Sequence, residues 1–291
     1  MNVEEREKTV KGILYLVATP IGNLMDFSER AIEVLKSVDL IAAEDTRNSL
    51  KLLNHFGIRT PMTSYHEFNR FDKAEELVRV LSEGRSVACI TDAGTPGISD
   101  PGEVLVSKCA EAGITVSAVP GASAMVTALI LSGLPTRRFR FEGFLPTEKP
   151  EREALLDELR TSTATLVFYE APHRLKKTLE ILFNALGDRR AALCRELTKV
   201  HEEVLRMTLR EALDHYSGEE PRGEYVIVVE GITTKDRKAA EAKDWEGMSI
   251  ADHVAFYEAA GMDRKAAMKQ VSLDRNISRR AVFDALVSAK S

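Results

Sequence analysis

Cysteine and long hydrophobic runs are both scarce in this chain of 291 residues. Its three cysteines, Cys89, Cys109 and Cys194, form no C-x-x-C pair, which argues against a disulfide framework and a zinc site. We therefore predict free thiols, no metal site and a cytoplasmic location. The longest apolar stretch, Ala122–Leu134, is too short to cross a bilayer and predicts a buried helix. The charged amino terminus lacks the apolar core of a secretion signal, so no membrane contact is expected.

Positive charge is not in excess either, because the formal net charge is −5. This value excludes a protein whose whole surface attracts nucleic acid, but it allows a local basic patch. Residues 249–291 contain 7 Lys or Arg against 5 Asp or Glu, whereas residues 1–248 contain 33 against 40. A polyanionic partner is therefore expected at the carboxy-terminal end or inside a cleft.

The common phosphate-binding loops are also missing. Neither G-x-x-x-x-G-K-[ST] nor G-x-G-x-x-G occurs, which argues against a P-loop hydrolase and a dinucleotide-binding domain. What the sequence does have is an ordinary globular composition, with 44% hydrophobic and 29% charged residues. Its length predicts two or three domains.

Apolar runs alternate with helical patterns along most of the chain, which predicts an α/β protein. The first unit has predicted strands at 13–18, 38–43, 61–65, 86–91 and 114–119 and helices at 29–36, 46–55, 70–83, 102–112 and 122–132. The second unit has predicted strands at 139–144, 163–169, 189–195, 203–208 and 224–230 and helices at 150–160, 173–186 and 209–216. In the first unit, buried strands separated by helices predict a mostly parallel sheet with helices on both faces.

Shifts in composition mark the domain boundaries. Residues 233–246 are charged and poor in large apolar groups. Three short helices are predicted after this stretch, with Ser278 as the N-cap of the third. They span 249–260, 263–274 and 278–289. The predicted organisation is a tail at 1–11, α/β lobes at 12–134 and 135–231, a linker at 232–248 and a helical module at 249–291.

Three predicted strands end in loops interrupted by glycine and proline. ITDAGTPGISDPG at 90–102 holds five such residues within nine positions, where a plain strand–helix turn needs one or two. A loop of this kind lets a ligand approach the main chain. VATPIGNLMD at 17–26 and VPGASA at 119–124 are interrupted in the same way. Because open α/β sheets bind ligands at the carboxyl ends of their strands, we expect one shared cleft.

Three further segments place polar residues after predicted strands, and each has a structural alternative. EDTR at 44–47 is a polar cluster, but Asp45 could simply cap the next helix. In FYEAPHRLKKTLE at 168–180, Pro172 fits a structural helix start as well as a binding role. CRELTKVHEE at 194–203 is either a catalytic segment or a solvated charged turn.

Taken together, these motifs resemble the tetrapyrrole-methylase-like superfamily. The segments VATPIGNLMDFSERA, AAEDTR, TDAGTPGISDPG, VPGASA, FEGF, FYEAPHR, CRELTK and GEYVIVVEG occur in this order over residues 12–231. They are most similar to the branch that methylates small-subunit ribosomal RNA, in which a helical tail like 249–291 also occurs. The resemblance implies a two-lobed α/β fold with S-adenosylmethionine in the cleft between the lobes. It also implies a homodimer and 2′-O-methylation of a cytidine in the decoding region of 16S ribosomal RNA.

The resemblance further implies which residues contact S-adenosylmethionine, largely through main-chain atoms. They lie on the strand-end loops and are Pro20, Asp92, Gly94, Thr95, Pro96, Ile98, Ser99, Ser123, Ala124, Ala171 and Pro172. Because main-chain contacts survive side-chain replacement, substitution at these positions need not abolish binding.

Methyl transfer to a ribose hydroxyl needs an aligned substrate and a group that accepts the hydroxyl proton. Lys199 is a candidate base if burial or Arg195 lowers its pKa, and Glu196 is another; the sequence does not choose between them. Basic side chains are expected to contact RNA phosphate, with carboxylate pairing or a solvated face as the alternatives. These predicted RNA-binding residues are Arg47, Arg174, Arg264, Lys265, Lys269, Arg275, Arg279 and Arg280.

Two other functions compete with this hypothesis. A methyltransferase acting on a tetrapyrrole carbon would not need the basic carboxy-terminal module. A non-enzymatic RNA-binding assembly factor would not need a cofactor cleft. Methyl-transfer assays on precorrin and on 30S subunits distinguish the tetrapyrrole methyltransferase from the ribosomal RNA methyltransferase. Calorimetry with S-adenosylmethionine distinguishes the assembly factor from both enzymes.

Overall fold

The computed structural model describes residues 11–237 and 247–288, so most of the predicted tail and linker lies outside the described residues. The chain divides into two compact units. The first extends to Arg152 and also contains Thr165–Glu230, and the second contains Glu153–Ala164 and the residues from Gly231 onward. The lobe boundaries given above remain a prediction. Among the described helices, none is long and apolar enough to span a membrane.

The first half of the first unit is built around a five-stranded sheet. Its strands are β1 (Ile13–Val17), β2 (Leu40–Ala43), β3 (Met62–Ser64), β4 (Val87–Ile90) and β5 (Thr115–Val119). Its helices are α1 (Glu29–Ser37), α2 (Thr46–His55), α3 (Arg70–Ser82), α4 (Gly102–Glu111) and α5 (Ala124–Leu131). The strand order is β3-β2-β4-β1-β5 and all neighbours are parallel, as predicted. Parallel pairing places the carboxyl ends of all five strands on one edge.

Local capping signals in the sequence fix helix starts. The Asp45 carboxylate accepts a hydrogen bond from the Arg47 amide at 2.8 Å and thereby caps α2. This confirms the structural alternative for the EDTR segment. The predicted N-cap Ser278 accepts a hydrogen bond from the Ala281 amide at 3.1 Å, where the last helix begins.

The second half of the first unit contains a mixed sheet. Its elements are β6 (Phe139–Gly143), β7 (Thr165–Glu170), α7 (Pro172–Leu186), β8 (Arg190–Arg195), β9 (Glu203–Thr208), α8 (Leu209–Ser217) and β10 (Tyr225–Val229). Helix α6 (Lys149–Arg160) begins in this unit and continues into the second unit. The strand order is β6-β7-β10-β8-β9, and only β6 and β7 are parallel neighbours. The parallel arrangement predicted for the first unit is therefore not repeated in this sheet. Residues 196–202 are too few for the crossover that would make β8 and β9 parallel neighbours.

Antiparallel pairing in the second sheet brings three strand ends together. Tyr225, at the start of β10, pairs with Glu170 at the end of β7 and with Arg195 at the end of β8. The residues next to these ends therefore share one edge.

Helix α5 packs the first half of this unit onto the second sheet. Its Met125 and Leu129 are buried together with Val167, Ala192 and Val226 of that sheet. The largely apolar sequence of α5 supplies this buried face, although Val126 and Ile130 on its other face are partly exposed. Ile21, from the loop after β1, belongs to the same buried cluster.

The carboxy-terminal part of the second unit contains the three predicted helices. They are α9 (Ile250–Ala259), α10 (Arg264–Asp274) and α11 (Arg279–Ser288). Val254, Val271 and Val282 come one from each helix and form a common buried core. We call residues 247–288 the helical module.

His253 is buried inside the helical module. Its Nδ1 accepts a hydrogen bond from Arg275 Nε at 3.1 Å, and its Nε2 lies 3.5 Å from Asp274 Oδ2. Burial and the charge of Arg275 lower the pKa of His253 and outweigh the opposing effect of Asp274. The folded state therefore favours neutral imidazole. The stabilisation that neutral His253 gives the folded state is complete at pH values above the ordinary pKa of 6.5. It is lost as the pH falls through the lowered pKa of the folded state.

We expect acid to open the helical module because His253 must then be protonated. In hydrogen-exchange measurements on the full chain, amides of α9–α11 should lose protection between about pH 7 and about pH 5. His253→Gln, which carries no titratable ring, should remove this pH dependence, whereas His215→Gln on the exposed surface of α8 should not. An acid response that is unchanged in His253→Gln would contradict the prediction.

Candidate active site

The three glycine- and proline-rich loops meet at the carboxyl edge of the first sheet. Thr19 and Gly94 form an antiparallel bridge, with N–O distances of 2.9 and 3.1 Å. Thr95 Oγ1 donates a hydrogen bond to the Ala122 carbonyl at 3.0 Å. The loops after β1, β4 and β5 are therefore tied to one another, and the predicted convergence is confirmed.

Asp100 folds the loop that follows β4. Its carboxylate accepts hydrogen bonds from the amides of Gly97 at 2.8 Å, Ile98 at 2.9 Å and Gly102 at 2.8 Å. Ser99 lies within this arc with a φ of 61°, in the left-handed region. That conformation costs a residue other than glycine about 1–3 kcal/mol and persists only where the surroundings enforce it. The hydrogen bonds of Asp100 supply this constraint.

The loops form one wall of a pocket of about 370 Å³, and the second sheet forms the other. Tyr169 and Glu170 end β7, Cys194 lies near the end of β8, and Val226 lies near the start of β10. The predicted site residues in its lining are Gly94, Thr95, Ile98, Ser123, Ala124, Ala171, Pro172, Glu196 and Lys199. The sequence therefore located both walls.

Some predicted residues lie beside the pocket rather than in its lining. The Asp92 carboxylate points to the loop after β2, where it accepts hydrogen bonds from the Asp45 amide at 3.2 Å and from Asn48 Nδ2 at 3.3 Å. Four other residues that the sequence assigns to cofactor binding or catalysis also lie outside the lining, and they are Pro20, Pro96, Ser99 and Arg195. A motif shows which loops form a site, but not which way each side chain turns.

Lys199 lies between two carboxylates in the second-sheet wall. Its Nζ donates hydrogen bonds to Glu196 Oε1 at 3.0 Å and to Glu224 Oε2 at 2.9 Å. Glu196 Oε1 also accepts a hydrogen bond from the Glu224 amide at 2.9 Å. We call these three residues the lysine cluster. Glu224 is absent from the sequence prediction, although the GEYVIVVEG segment contains it, because its place becomes visible only when β10 lies beside β8.

Lys199 and Glu196 of the lysine cluster are both charged at neutral pH. Burial alone would lower the pKa of Lys199, but hydrogen bonds to Glu224 and Glu196 outweigh it and raise that pKa. The condition on which Lys199 was a candidate base, a lowered pKa, is therefore not met. Burial alone would raise the pKa of Glu196, but the Glu224 amide and Lys199 outweigh it and lower that pKa. The cluster thus presents an ammonium held beside the ionised Glu196 carboxylate.

The remainder of the second-sheet wall is largely apolar. The Phe141 and Phe144 rings lie 4.8 and 5.8 Å from the Tyr169 ring. The Tyr169 hydroxyl accepts a hydrogen bond from the Met125 amide at 3.3 Å, which ties β7 to the start of α5. Burial raises the pKa of Cys194 to about 12, so this thiol is neutral and is not a nucleophile.

A buried carboxylate shapes the FYEAPHR segment. Glu170 accepts hydrogen bonds from the Ala171 amide at 2.8 Å and from Thr178 Oγ1 at 2.5 Å. Arg174 Nε lies 3.3 Å from Glu170 Oε1, and Arg174 also donates to the Leu145 carbonyl at 2.8 Å. Arg174 therefore supports the pocket wall, which is the carboxylate-pairing alternative to phosphate binding.

Comparison with known proteins identifies the family. The family described as tetrapyrrole (corrin/porphyrin) methylases matches residues 13–213, which contain the first sheet and every strand of the second sheet except β10. The chain belongs to the tetrapyrrole methylase family. This methylase is 49% identical over 280 residues to ribosomal RNA small subunit methyltransferase I of Halalkalibacterium halodurans, with 96% of each chain covered. It is 45% identical over 278 residues to the Bacillus subtilis protein of the same name, covering 96% of this chain and 95% of that one.

Solved structures show that the methylase has the predicted fold. A diphthine synthase covers 76% of this chain and 90% of its own, with a TM-score of 0.61 and 15% identity. The uroporphyrin-III-C-methyltransferase of Thermus thermophilus covers 75% of this chain and 94% of its own, with a TM-score of 0.53 and 22% identity. The expected tetrapyrrole-methylase-like fold is thereby confirmed.

The predicted RNA-binding residues of the methylase divide into two groups. Arg47 pairs with Asp45 at 3.0 Å, and Arg275 donates to the Met248 carbonyl at 2.7 Å, so both have structural partners. Arg264 belongs to the same group, because its guanidinium lies 3.8 Å from the Glu258 carboxylate. The other predicted cations of the helical module are solvent-exposed and are Lys265, Lys269, Arg279 and Arg280.

Proposed function

We propose that this protein uses S-adenosylmethionine to methylate the ribose 2′-hydroxyl of a cytidine in the decoding region of 16S ribosomal RNA. Relatives named ribosomal RNA small subunit methyltransferase I, similar over 96% of the chain, support this substrate. The observation that carries the proposal is the pocket in which the strand-end loops face the lysine cluster. A methyl donor and a proton acceptor can therefore share one site.

The pocket suits S-adenosylmethionine in size and chemistry. Its volume of about 370 Å³ lies in the range of small-ligand sites. On the loop side, Gly94 has a φ of 89° and no side chain, so the main chain of residues 93–95 is accessible to a ligand. On the opposite side, Glu196 and Glu224 supply negative charge, which favours a cationic sulfonium. Residues 93–95 together with Ala124 and Ala171 would hold the donor.

S-adenosylmethionine supplies a methyl group activated by a cationic sulfur. The protein must hold the ribose oxygen in line with that group and keep water away. The buried Ile21, Leu197 and Val226 side chains of the lining serve to exclude water. The Glu196 carboxylate, ionised in this environment, takes the hydroxyl proton, and the Lys199 ammonium holds that carboxylate in place.

The RNA substrate is expected to meet exposed cations. Arg47 lies on the loop edge of the first sheet with 88% of its side chain exposed, so it can reach a phosphate while it stays paired with Asp45. In the helical module, the exposed Lys and Arg side chains of α10 and α11 supply the local basic surface that the net charge of the chain lacks. We place the protein in the cytoplasm, with the small ribosomal subunit as its partner.

We also propose a homodimer, which buries an apolar strip on α5. Val126 and Ile130 lie one helical turn apart and are 46% and 66% exposed, although the opposite face of α5 is buried. A two-fold interface would cover such a strip. Sedimentation should show a dimer for the wild type and a monomer for Ile130→Glu. Equal sedimentation of the two proteins would exclude this interface.

Mass spectrometry of ribosomal RNA tests the proposed reaction. A strain lacking this gene should lose one 2′-O-methylcytidine from 16S RNA, and the wild-type gene should restore it. The purified protein should bind S-adenosylmethionine in calorimetry and transfer methyl groups to 30S subunits from the deleted strain. An unchanged methylation pattern, or transfer to a precorrin instead of the 30S subunit, would refute the proposal.

A further inference from the structure

Two glycines outside the predicted site lie directly against the lysine cluster. A Cβ on Gly22 would lie 2.3 Å from Lys199 Cγ, and a Cβ on Gly223 would lie 2.5 Å from Glu196 Cγ. Real Cβ atoms essentially never approach another heavy atom more closely than 3.0 Å. Any side chain at either position would therefore displace a residue of the cluster.

The turn that carries Glu196 and Lys199 is itself held in an unfavourable conformation. Glu196 has a φ of 50° and Thr198 a φ of 66°, both in the left-handed region that disfavours a Cβ. The Glu196 amide donates to the Glu224 carbonyl at 3.1 Å, and the Thr198 amide donates to Glu202 Oε2 at 2.7 Å. These bonds fix a backbone that places both catalytic candidates in the pocket wall. Strain of this kind is commonly found where a site is preorganised.

We propose that Gly22 and Gly223 are positioning residues for methyl transfer, because they leave the space in which this turn holds Lys199 and Glu196. The inference rests on the proposed function. Gly22 lies in the loop after β1 and Gly223 lies just before β10, so the space is bounded by both sheets. Neither glycine is a pocket-lining residue; each acts through the cluster side chain beside it.

Alanine variants with matched glycine controls test this inference in the full chain. Gly223 and Gly187 have φ values of 78° and 79°, but a Cβ on Gly187 would meet nothing within 4 Å. Gly187→Ala therefore has the same strained φ as Gly223→Ala without the contact to Glu196. Gly22 also has a positive φ, 158°, so Gly57→Ala, with a φ of 65° and nothing within 4 Å of its Cβ, is the control for Gly22→Ala.

The expected result is a loss confined to the catalytic rate. Gly22→Ala and Gly223→Ala should lower single-turnover methyl transfer to 30S subunits about 100-fold, because displacing a reacting group by about 1 Å costs that much. Their affinity for S-adenosylmethionine should stay within about threefold of wild type. Both controls should keep rates within about fourfold of wild type, a change of under about 1 kcal/mol, because their new Cβ atoms meet no neighbour. Equal losses in variants and controls would overturn the inference.

Double variants separate positioning from a general structural defect. A Cβ on Gly22 would lie 2.3 Å from Lys199 Cγ but 3.1 Å from Thr198 Oγ1, so Lys199→Ala removes the closest contact. In that background, Gly22→Ala should therefore cause a much smaller further loss of rate than it causes alone. Gly223→Ala should behave in the same way in a Glu196→Ala background. Additive losses would refute the positioning role.

Crystal structures of the two single variants provide a readout that does not depend on activity. Lys199 Nζ should no longer lie within about 3.5 Å of both Glu196 and Glu224. An intact lysine cluster in these variants would overturn the inference even if the wild type methylates 30S subunits. A wild type that transfers no methyl group would instead refute the proposed function, whatever the geometry of the variants.

Discussion

Replacing Glu196 with glutamine is expected to lower the rate of methyl transfer to 30S subunits by about 10²- to 10⁴-fold. Glutamine has nearly the same shape but cannot accept the hydroxyl proton. Affinity for S-adenosylmethionine, measured by calorimetry, should fall far less than the rate, because the loop side of the pocket and the Glu224 carboxylate, which also faces the cationic sulfonium, are untouched. Glu203→Gln is the matched control: Glu203 pairs with Arg195 at 3.4 Å and lies outside the pocket lining, so its rate should stay near wild type.

The pH dependence of the same rate distinguishes the two candidate bases. The pKa of Glu196 is lowered from its ordinary value of 4.5, so its carboxylate is ionised throughout the neutral range. The rate should therefore be flat between about pH 6 and about pH 9. The pKa of Lys199 is raised from 10.5, so a lysine base would make the rate climb about tenfold per pH unit across that range. Such a climb, or near wild-type rates in both Glu196→Ala and Lys199→Ala, would refute the assignment of Glu196 as the base.

The second large effect is expected in RNA binding. Neutralising Lys265, Lys269, Arg279 and Arg280 to glutamine should weaken binding to the 30S subunit and reduce its dependence on salt. Each phosphate contact with single-stranded RNA contributes about 0.7 to the slope of log affinity against log salt, so four contacts contribute about 3. Titrations of the full chain at several salt concentrations measure this slope, and affinity for S-adenosylmethionine should not change.

Two cations on another surface provide the control for this experiment. Lys36 ends α1 and Arg85 precedes β4, so both lie near the amino-terminal edge of the first sheet, opposite the strand-end loops. Their glutamine variants should keep the wild-type slope. If deletion of residues 233–291 left both RNA affinity and methylation unchanged, the docking role of the module would be refuted.

Much of this architecture follows from the sequence. The buried run Val87–Ile90, followed by the glycine- and proline-rich loop at 90–102, specifies a strand that ends at a ligand site. Parallel pairing then obliges the neighbouring loops to meet at the same edge, and the Thr19–Gly94 bridge shows that they do. Helix caps such as Asp45 and Ser278 could be predicted because capping involves residues close in the chain.

Only the tertiary structure decided the chemistry of the opposite wall. The partner of Lys199 that holds its charge, Glu224, is 25 residues away along the chain, and antiparallel pairing of β8 with β10 brings it near. A pKa depends on such long-range neighbours and on burial, which a motif does not contain. The need for glycine at positions 22 and 223 likewise arises from atoms across the pocket wall. The sequence by itself determined which strand ends carry the site, because that depends on local patterns, whereas the charge and orientation of its side chains depend on contacts made only in the folded chain.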